Sequence, residues 1–167
     1  QAASADAQAP PAPVADGHRI LQHEVGAWDA VVRTWATPDA QPAVSRGTET
    51  NRMLGQMWVV GVFESGSDGT SYRGQSQVGY DPVAKKYMGT WIDTMSPHLN
   101  TFEGTMQGNQ LTMKTKGLDP KTGQQKLTKM VTTYVDDDHK TYESFEPVPG
   151  KEGQLWKTME VSYTRRK

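Results

Sequence analysis

The sequence predicts an all-β protein: an antiparallel up-and-down closed β-barrel of about ten strands, preceded by a short N-terminal helix. Short segments of alternating apolar and polar residues recur at spacings of about 8–12 residues, and turns of hairpin length separate them. Threonine, tryptophan and tyrosine are common in these segments, which favours strands over helices. A single-sheet meander of this length normally curls or splits, and closure removes both exposed edges. A two-sheet sandwich is the alternative.

The first 15 residues, QAASADAQAPPAPVA, are expected to be a disordered tether, because they are rich in alanine and proline and offer little to bury. Residues 16–167 are long enough for a single barrel domain with its own core. The sequence begins with glutamine, and an Ala/Pro-rich leader of this kind often follows a removed signal peptide. We therefore expect a bacterial protein that is exported, either periplasmic or secreted.

Composition excludes several classes of function. The formal net charge of -1 gives no electrostatic case for binding nucleic acid or an acidic membrane surface. No run approaches the roughly 18 consecutive apolar residues that a membrane-spanning helix needs. Because cysteine is absent, disulfides, thiolate metal sites and cysteine nucleophiles are excluded as well.

A short helix is predicted ahead of the strands. Asp16 is positioned to cap it, and Leu21 and Val25 lie four residues apart on one face. Gly26 is expected to end the helix. From Trp28 onward the helical period disappears and the alternating segments begin.

Each predicted strand is bounded by turn residues. The segment over residues 72–80 alternates most clearly, with Tyr72 and Tyr80 on one face and Arg73 and Gln75 on the other, as in a sheet with one wet face. The predicted strands cover residues 28–35, 44–53, 57–64, 72–80, 87–93, 99–106, 110–116, 126–135, 141–146 and 155–165. The predicted turns lie at residues 38–42, 65–69, 81–82, 94–97, 108–109, 117–123, 136–138 and 147–153.

The segment Gly26-Ala27-Trp28 has a potential partner at the other end of the chain. A tryptophan at the start of the first strand can plug one end of a barrel, and an arginine on the last strand can cover its ring by a cation–π contact. We therefore expect Trp28 to contact Arg165 or Arg166 as a structural closure. This contact requires the first and last strands to be neighbours.

Several separate motifs occur in an order that resembles a known family. They are His18-x-x-Leu21, Gly26-x-Trp28, Gly79-Tyr80-Asp81, Trp91-Ile92-Asp93, Phe102-Glu103-Gly104 and Val161-Ser162-Tyr163-Thr164-Arg165. Together they resemble the bacterial domain of unknown function 1579 family over residues 18–165. That family is similar to the calycin superfamily of lipocalins and fatty-acid-binding proteins, in which Gly-x-Trp on strand one and an arginine on the last strand are familiar features. The resemblance implies a calycin-like barrel of ligand-binding size and implies no reaction.

Inward-facing aromatic and polar residues are the candidates for ligand binding. The phase is set by taking Trp28 as inward. The predicted lining is then Trp58, Tyr80, Trp91, Asp93 and Tyr163. An ordinary filled core would show the same aromatic residues, and an error of one residue in register would invert the set.

Asp93 is the most distinctive member of this set, because a buried acid is costly unless it meets a cation or a hydrogen-bonding ligand. Arg52 and Arg165 are the candidate cations. Alternatively, Asp93 ends its strand and caps the turn over residues 94–97. Glu103 could join Asp93 as an acid–base pair, although a solvated strand residue explains Glu103 more simply.

We predict no metal site and no cofactor. The histidines at positions 18, 23, 98 and 139 have no tight ligand spacing. The sequence Asp136-Asp137-Asp138-His139 lacks the downstream acid and glycine of a calcium loop and is typical of a solvated hairpin turn. No second feature of the sequence supports a role for His98 as an axial haem ligand.

The leading hypothesis is a barrel without catalytic activity that binds a small apolar or amphipathic molecule. Its aromatic residues would contact the body of the ligand, and Asp93 or an arginine would bind its polar end. The first alternative is a structural or protein-interaction module with a filled core. An enzyme that uses Asp93 and Glu103 is the third hypothesis, and the sequence does not decide whether a reaction is catalysed.

Overall fold

The structure, a computed structural model, describes residues 10–66, 71–119 and 122–167. Much of the tether predicted over residues 1–15 lies outside the described residues. Parts of the turns predicted at residues 65–69 and 117–123 lie outside them as well.

The predicted N-terminal helix is present. It consists of α1 (Asp16–Ile20) and a following turn of 3₁₀ helix (Leu21–Glu24). Ala15, rather than Asp16, is the capping residue, and it makes no side-chain capping hydrogen bond. Asp16 already lies in the first turn, where its carboxylate pairs with the exposed Arg19 at 3.1 Å. The predicted capping role of Asp16 is therefore wrong.

His18 attaches the helix to the barrel. Its side chain is buried; Nδ1 accepts the backbone N–H of Ala15 at 2.9 Å, and Nε2 lies 2.9 Å from the carbonyl oxygen of Tyr80. A neutral imidazole with its proton on Nε2 satisfies both contacts. The Tyr87 hydroxyl donates to the carbonyl oxygen of Gly17 at 3.0 Å. Two strands thus hold the helix across one end of the barrel.

Ten strands of the described residues form a closed barrel, in which consecutive strands pair antiparallel and the last strand pairs with the first. The strands are β1 (Gly26–Thr34), β2 (Ala43–Leu54), β3 (Trp58–Ser65), β4 (Tyr72–Asp81), β5 (Lys86–Asp93), β6 (Ser96–Gln107), β7 (Gln110–Leu118), β8 (Gln125–Tyr134), β9 (His139–Pro147) and β10 (Leu155–Arg165). The predicted fold class is confirmed. Pairing of β1 with β10 excludes the two-sheet sandwich.

β6 begins at Ser96 rather than at the predicted residue 99. The sequence suggested a turn there because it contains Pro97. A register shift of the kind made by a β-bulge lies between Trp91 and Asp93 on the neighbouring strand. Proline is tolerated in a strand beside such irregularities, so β6 extends over Pro97.

The register defines two ends of the barrel. The helix lies across the end at which the odd-numbered strands begin, and we call it the helix end. The even-numbered strands begin at the opposite end, which we call the mouth. Side chains alternate between the inside and the outside along each strand. Trp28 faces inward near the helix end, and Tyr72 faces inward at the mouth.

Buried apolar side chains form two separate clusters. The first surrounds Trp28 and consists of Trp28, Ala30, Val32, Phe63, Val161 and Tyr163. The second lies beneath the helix and consists of Leu21, Val59, Tyr87, Leu111 and Met113. Further apolar side chains that pack against each cluster are only partly buried.

Candidate functional site in the barrel interior

Trp28 and Arg165 meet at the helix end, as expected from the sequence. The guanidinium carbon of Arg165 lies 4.1 Å from the centroid of the Trp28 ring. The guanidinium donates to the carbonyl oxygen of Val25 and, at 3.0 Å, to that of His23. The Trp28 indole N–H donates to the carbonyl oxygen of Glu24 at 2.9 Å. These two side chains therefore tie the 3₁₀ turn to both β1 and β10.

A buried ammonium group lies beside this contact. Lys140 is 4% exposed; its Nζ contacts the carboxylate of Glu24 and lies 2.9 Å from that of Glu49. Nζ also lies 4.6 Å from the centroid of the Trp28 ring and 4.7 Å from that of Tyr163. Two carboxylates and two aromatic rings thus compensate a charge that is removed from water.

Neutral donors complete the coordination of the two carboxylates. The Tyr134 hydroxyl donates to Glu24 at 2.5 Å, and the Tyr163 hydroxyl donates to Glu49 at 3.0 Å. The side-chain amide of Asn51 donates to Glu49 at 2.7 Å. Among the described residues, every buried side-chain nitrogen and oxygen has a hydrogen-bond partner. We call Glu24, Glu49, Asn51, Tyr134, Lys140 and Tyr163 the helix-end network.

The pKa values in this network favour protonated tyrosines and a charged lysine. Burial alone would lower the pKa of Lys140, but Glu24 and Glu49 outweigh burial and raise it. Burial raises the pKa of Tyr163 and of Tyr134 well above the ordinary value, and the neighbouring carboxylates raise both further. None of these three groups changes its protonation state near neutral pH. The arrangement therefore suits holding the helix in place rather than proton transfer.

This network was not predicted from the sequence. The ninth strand was predicted to start at residue 141, which left Lys140 outside the strands, whereas β9 begins at His139. Tyr142 and Ser144 alternate on the inward face of β9. Extending that alternation back by one step would have placed Lys140 inside, and a buried lysine requires carboxylate partners.

Tyr80 and Tyr163, two of the predicted lining residues, face the interior but lie at the helix end. The Tyr163 hydroxyl is bound to Glu49 at 3.0 Å. The Tyr80 ring lies against Gly17, where an added Cβ would be 2.4 Å from a ring atom, and 4.8 Å from the Tyr87 ring between centroids. Both tyrosines support the closed end of the barrel, away from the mouth.

Trp58 lies on the outer wall, which corrects its predicted place in the lining. Its neighbour Val59 is 4% exposed in the core and pairs with the inward-facing Val78. The Trp58 ring lies over Gly79, where an added Cβ would meet three ring atoms within 2.9 Å. The apolar run Trp58-Val59-Val60 shows no alternation, so the sequence could not reveal which of its residues faces inside.

Two adjoining clefts lie on the outer wall of the barrel. The first has a volume of about 420 Å³ and extends from Trp58 to Lys114. The second, of about 290 Å³, shares Glu103 and Lys114 with the first. Glu103 faces this outer wall, 3.6 Å from Lys86, whereas Asp93 faces the interior. The two carboxylates do not converge, so the third hypothesis, an acid–base pair of Asp93 and Glu103, is wrong, and Glu103 is the exposed strand residue that the simpler explanation expects.

Asp93 lies at the mouth, where both of its carboxylate oxygens accept hydrogen bonds. One carboxylate oxygen accepts the indole N–H of Trp91 at 2.9 Å, and the other accepts the backbone N–H of Met95 at 2.8 Å. Asp93 thus orients an inward-facing indole and also caps the following turn. Arg52 faces outward on β2, and Arg165 is bound at the helix end. Asp93 therefore pairs with neither candidate arginine, and the alternative in which it caps the turn over residues 94–97 is the one observed.

Further inward-facing side chains pack against the two clusters and are only partly buried. Tyr72, Trp91, Tyr142 and Met159 adjoin the cluster around Trp28, and Phe102, Met106, Met130 and Tyr134 adjoin the cluster beneath the helix. We call the part of the barrel interior that these side chains face the lumen. Burial, followed by the charge of Asp93, raises the pKa of Tyr72 to about 12. Burial also raises the pKa of Tyr142 to about 12.

Two kinds of feature are absent from the described residues. No group of three His, Asp or Glu side chains in the described ranges is arranged to hold a metal ion. No helix in the same part of the chain is long and apolar enough to cross a membrane. His98 lies on β6 near the mouth, where its backbone N–H donates to the Ser96 hydroxyl at 3.2 Å.

Comparison with known proteins gives one family. The family model described as a protein of unknown function (DUF1579) matches residues 14–165. Among curated proteins, no relative matches the sequence.

Two solved structures share the fold. The crystal structure of Rv2717c from M. tuberculosis is similar with a TM-score of 0.63 and 11% identity, over 93% of this chain and 100% of that chain. The S-type phycobiliprotein lyase CPES from Guillardia theta is similar with a TM-score of 0.63 and 10% identity, over 89% of this chain and 92% of that chain. At these identities the likeness concerns the fold alone.

Proposed function

We propose that this chain, which belongs to the DUF1579 family of proteins of unknown function, binds a small amphipathic molecule in its lumen. The observation that carries the proposal is that inward-facing aromatic and methionine side chains next to the two apolar clusters are only partly buried. In a barrel with a close-packed interior those side chains would be fully buried. The fold shared with a phycobiliprotein lyase is compatible with ligand binding.

The walls of the lumen suit the apolar body of such a ligand. Tyr72, Trp91 and Tyr142 border it near the mouth, and each adjoins the cluster around Trp28. Flat aromatic side chains bury a large area for little loss of conformational freedom. Met130 on the facing wall adds a flexible thioether, which adapts to irregular apolar shapes.

Asp93 suits the polar end of the ligand. Its two carboxylate oxygens offer about four lone pairs, and the contacts with Trp91, Met95 and Tyr72 leave at least one of them for a ligand. The inward-facing Lys126 is already paired with Glu146 at 2.8 Å. A ligand whose polar end donates hydrogen bonds, such as an amine or an alcohol, therefore fits the mouth better than a carboxylate.

Calorimetric titration tests this function with three probes of equal chain length: dodecylamine, dodecanol and dodecanoate, each below its critical micelle concentration. We expect dodecylamine and dodecanol to bind more tightly than dodecanoate. Trp91→Ala should weaken binding on the order of tenfold, because a large apolar contact is lost. Native mass spectrometry of the freshly purified protein would show whether it carries a ligand from its host.

Trp58→Ala is the matched control, since it removes the same side chain from the outer wall. Thermal unfolding of both variants verifies that they remain folded. Binding that depends on Trp58 and not on Trp91 would move the site to the outer cleft. If none of the three probes binds, the proposal fails and the alternative of a module with a filled core gains support.

Export is a separate part of the proposal. It rests on the Ala/Pro-rich composition of residues 1–15. Fractionation of the native host with an antibody against the barrel would detect the protein outside the cytoplasm. Recovery in the cytoplasmic fraction alone would refute it.

A further inference from the structure

Exposed large apolar side chains gather on one side of the mouth. Five of them, which we call the apolar rim, are between 50% and 79% exposed: Ile92, Met95, Leu99, Leu118 and Leu127. Single exposed apolar residues need no explanation, but a contiguous group of them on a protein surface marks an interaction site.

The strand register makes the rim contiguous. β5, β6, β7 and β8 are consecutive neighbours in the barrel. Met95 lies in the turn between β5 and β6, shortly after Ile92. Leu99 faces outward near the start of β6. Leu118 pairs with Gln125, two residues before Leu127, so these two leucines are diagonal neighbours on the outer wall.

The wall behind the rim is basic. Lys114 and Lys129 face outward on β7 and β8, and neither strand contains an aspartate or glutamate. Lys114 and Lys129 lie directly opposite each other, and like charges in that position repel. Glu103 lies opposite Lys114 on β6 and offsets only part of this charge. An anionic partner would relieve the repulsion.

We propose that the mouth docks on the surface of an anionic lipid bilayer. The apolar rim would insert among the headgroups, and Lys114 and Lys129 would lie beside the anionic groups. A bilayer surface offers this combination, with apolar material just beneath a layer of negative charge. The formal net charge of -1 does not oppose such docking, because charges farther away than about 10 Å are largely screened. The docking does not require that the lumen binds a ligand.

Co-sedimentation with vesicles tests this docking. We expect the full chain to bind vesicles of phosphatidylcholine mixed with phosphatidylglycerol, and to bind phosphatidylcholine alone more weakly. Met95→Asp should reduce binding to the mixed vesicles on the order of tenfold or more. Lys129→Glu should reduce binding to the mixed vesicles at least about fivefold, and added salt should also weaken this binding.

Val83→Asp is the matched control. Val83 is 92% exposed, but it lies between β4 and β5 at the helix end, away from the rim. This variant should bind the mixed vesicles like the wild type. Trp91→Ala should also bind them normally, so that failure of the lumen proposal remains distinguishable from failure of the docking proposal.

Three results would overturn the docking. The first is a wild-type chain that does not sediment with the mixed vesicles. The second is a Met95→Asp variant that binds as well as the wild type, or a Val83→Asp variant that loses as much. The third is a wild-type chain that is a dimer by light scattering and becomes a monomer with Met95→Asp, while neither the wild type nor the variant binds vesicles. The rim would then be an interface between two copies.

Discussion

The Arg165 guanidinium lies 4.1 Å from the centre of the Trp28 ring, across the seam where β10 pairs with β1. The same guanidinium donates to carbonyl oxygens of Val25 and His23. One side chain thus joins the last strand, the first strand and the 3₁₀ turn. The cation–π contact and the hydrogen bonds to the turn depend on the same rotamer.

Arg165→Ala should therefore lower the free energy of unfolding by about 2–4 kcal/mol, because it removes a cation–π contact and several charged hydrogen bonds. Urea-induced unfolding measures the change. Arg166→Ala is the control: Arg166 pairs with Asp29 on the surface and should contribute little. Equal losses in the two variants would contradict a special role for Arg165. The affinity of the lumen for the dodecyl probes should change less than the free energy of unfolding.

Lys140→Met should destabilise the protein by about 3–5 kcal/mol, because it leaves the half-buried Glu24 and Glu49 beside each other without their cation. Chemical unfolding at neutral pH measures this loss. The double variant Lys140→Met/Glu49→Gln removes one of the uncompensated charges and should recover part of the stability. A double variant that is less stable than the single one would show that the carboxylate repulsion is not the cause.

Gly26→Ala should be destabilising by about 1–3 kcal/mol, because Gly26 has a φ of +128° that other residues rarely adopt. An added Cβ would also lie 2.8 Å from a guanidinium nitrogen of Arg165. Gly55→Ala is the reference, since Gly55 has a less strained φ of +61° and open space around it. Thermal unfolding should give the larger loss for Gly26→Ala. A reversed order would rule out crowding by Arg165.

Alkaline pH should destabilise the fold through its buried tyrosines. The pKa of Tyr142 is about 12 in the folded chain, against an ordinary value of 10.0. Between these values the unfolded chain releases a proton that the folded chain retains, so the free energy of unfolding falls as the pH rises. Below the ordinary value the contribution is fully present.

Tyr142→Phe removes this one contribution. The free energy of unfolding should then fall less steeply over that interval, by up to about 1.4 kcal/mol per pH unit. Urea unfolding at several alkaline pH values measures how steeply the free energy of unfolding falls in the wild type and in the variant. The difference between the two chains near pH 8 gives the effect of the lost hydroxyl on packing, which is subtracted. Identical slopes would mean that Tyr142 ionises as readily in the folded chain as in the unfolded one.

Asp93→Asn should lower the pKa of Tyr72 from its value of about 12, because the Asp93 charge is the second cause of that shift after burial. Burial persists in the variant, so the pKa should remain above the ordinary value. Carbon NMR of the ring carbon bonded to the hydroxyl follows this titration. Glu64→Gln on the outer wall is the control and should leave the Tyr72 titration unchanged. An unchanged pKa in Asp93→Asn would place Asp93 too far from Tyr72 to act on it.

Local patterns in the sequence predicted much of the fold. Alternation and turn residues located the ten strands, because strand geometry places successive side chains on opposite faces. Gly26, Trp28 and Arg165 predicted that the first and last strands are neighbours, and the family resemblance is confirmed by the match over residues 14–165. Boundaries failed where a tertiary feature intervened, as at Pro97, which lies in β6 opposite a register shift in β5.

The sequence by itself thus determined the class of fold, the order of its strands and the contact that closes the barrel. Only the tertiary structure decided that Trp58 faces outward, that Asp93 binds Trp91 rather than an arginine, and that Glu103 lies on the opposite side of the wall from Asp93. It also decided that Lys140 meets Glu24, from which it is 116 positions away in the chain. Alternation along one strand is a local property. The face that points inward, and the partner that a buried charge meets, depend on the register between strands that are distant in sequence.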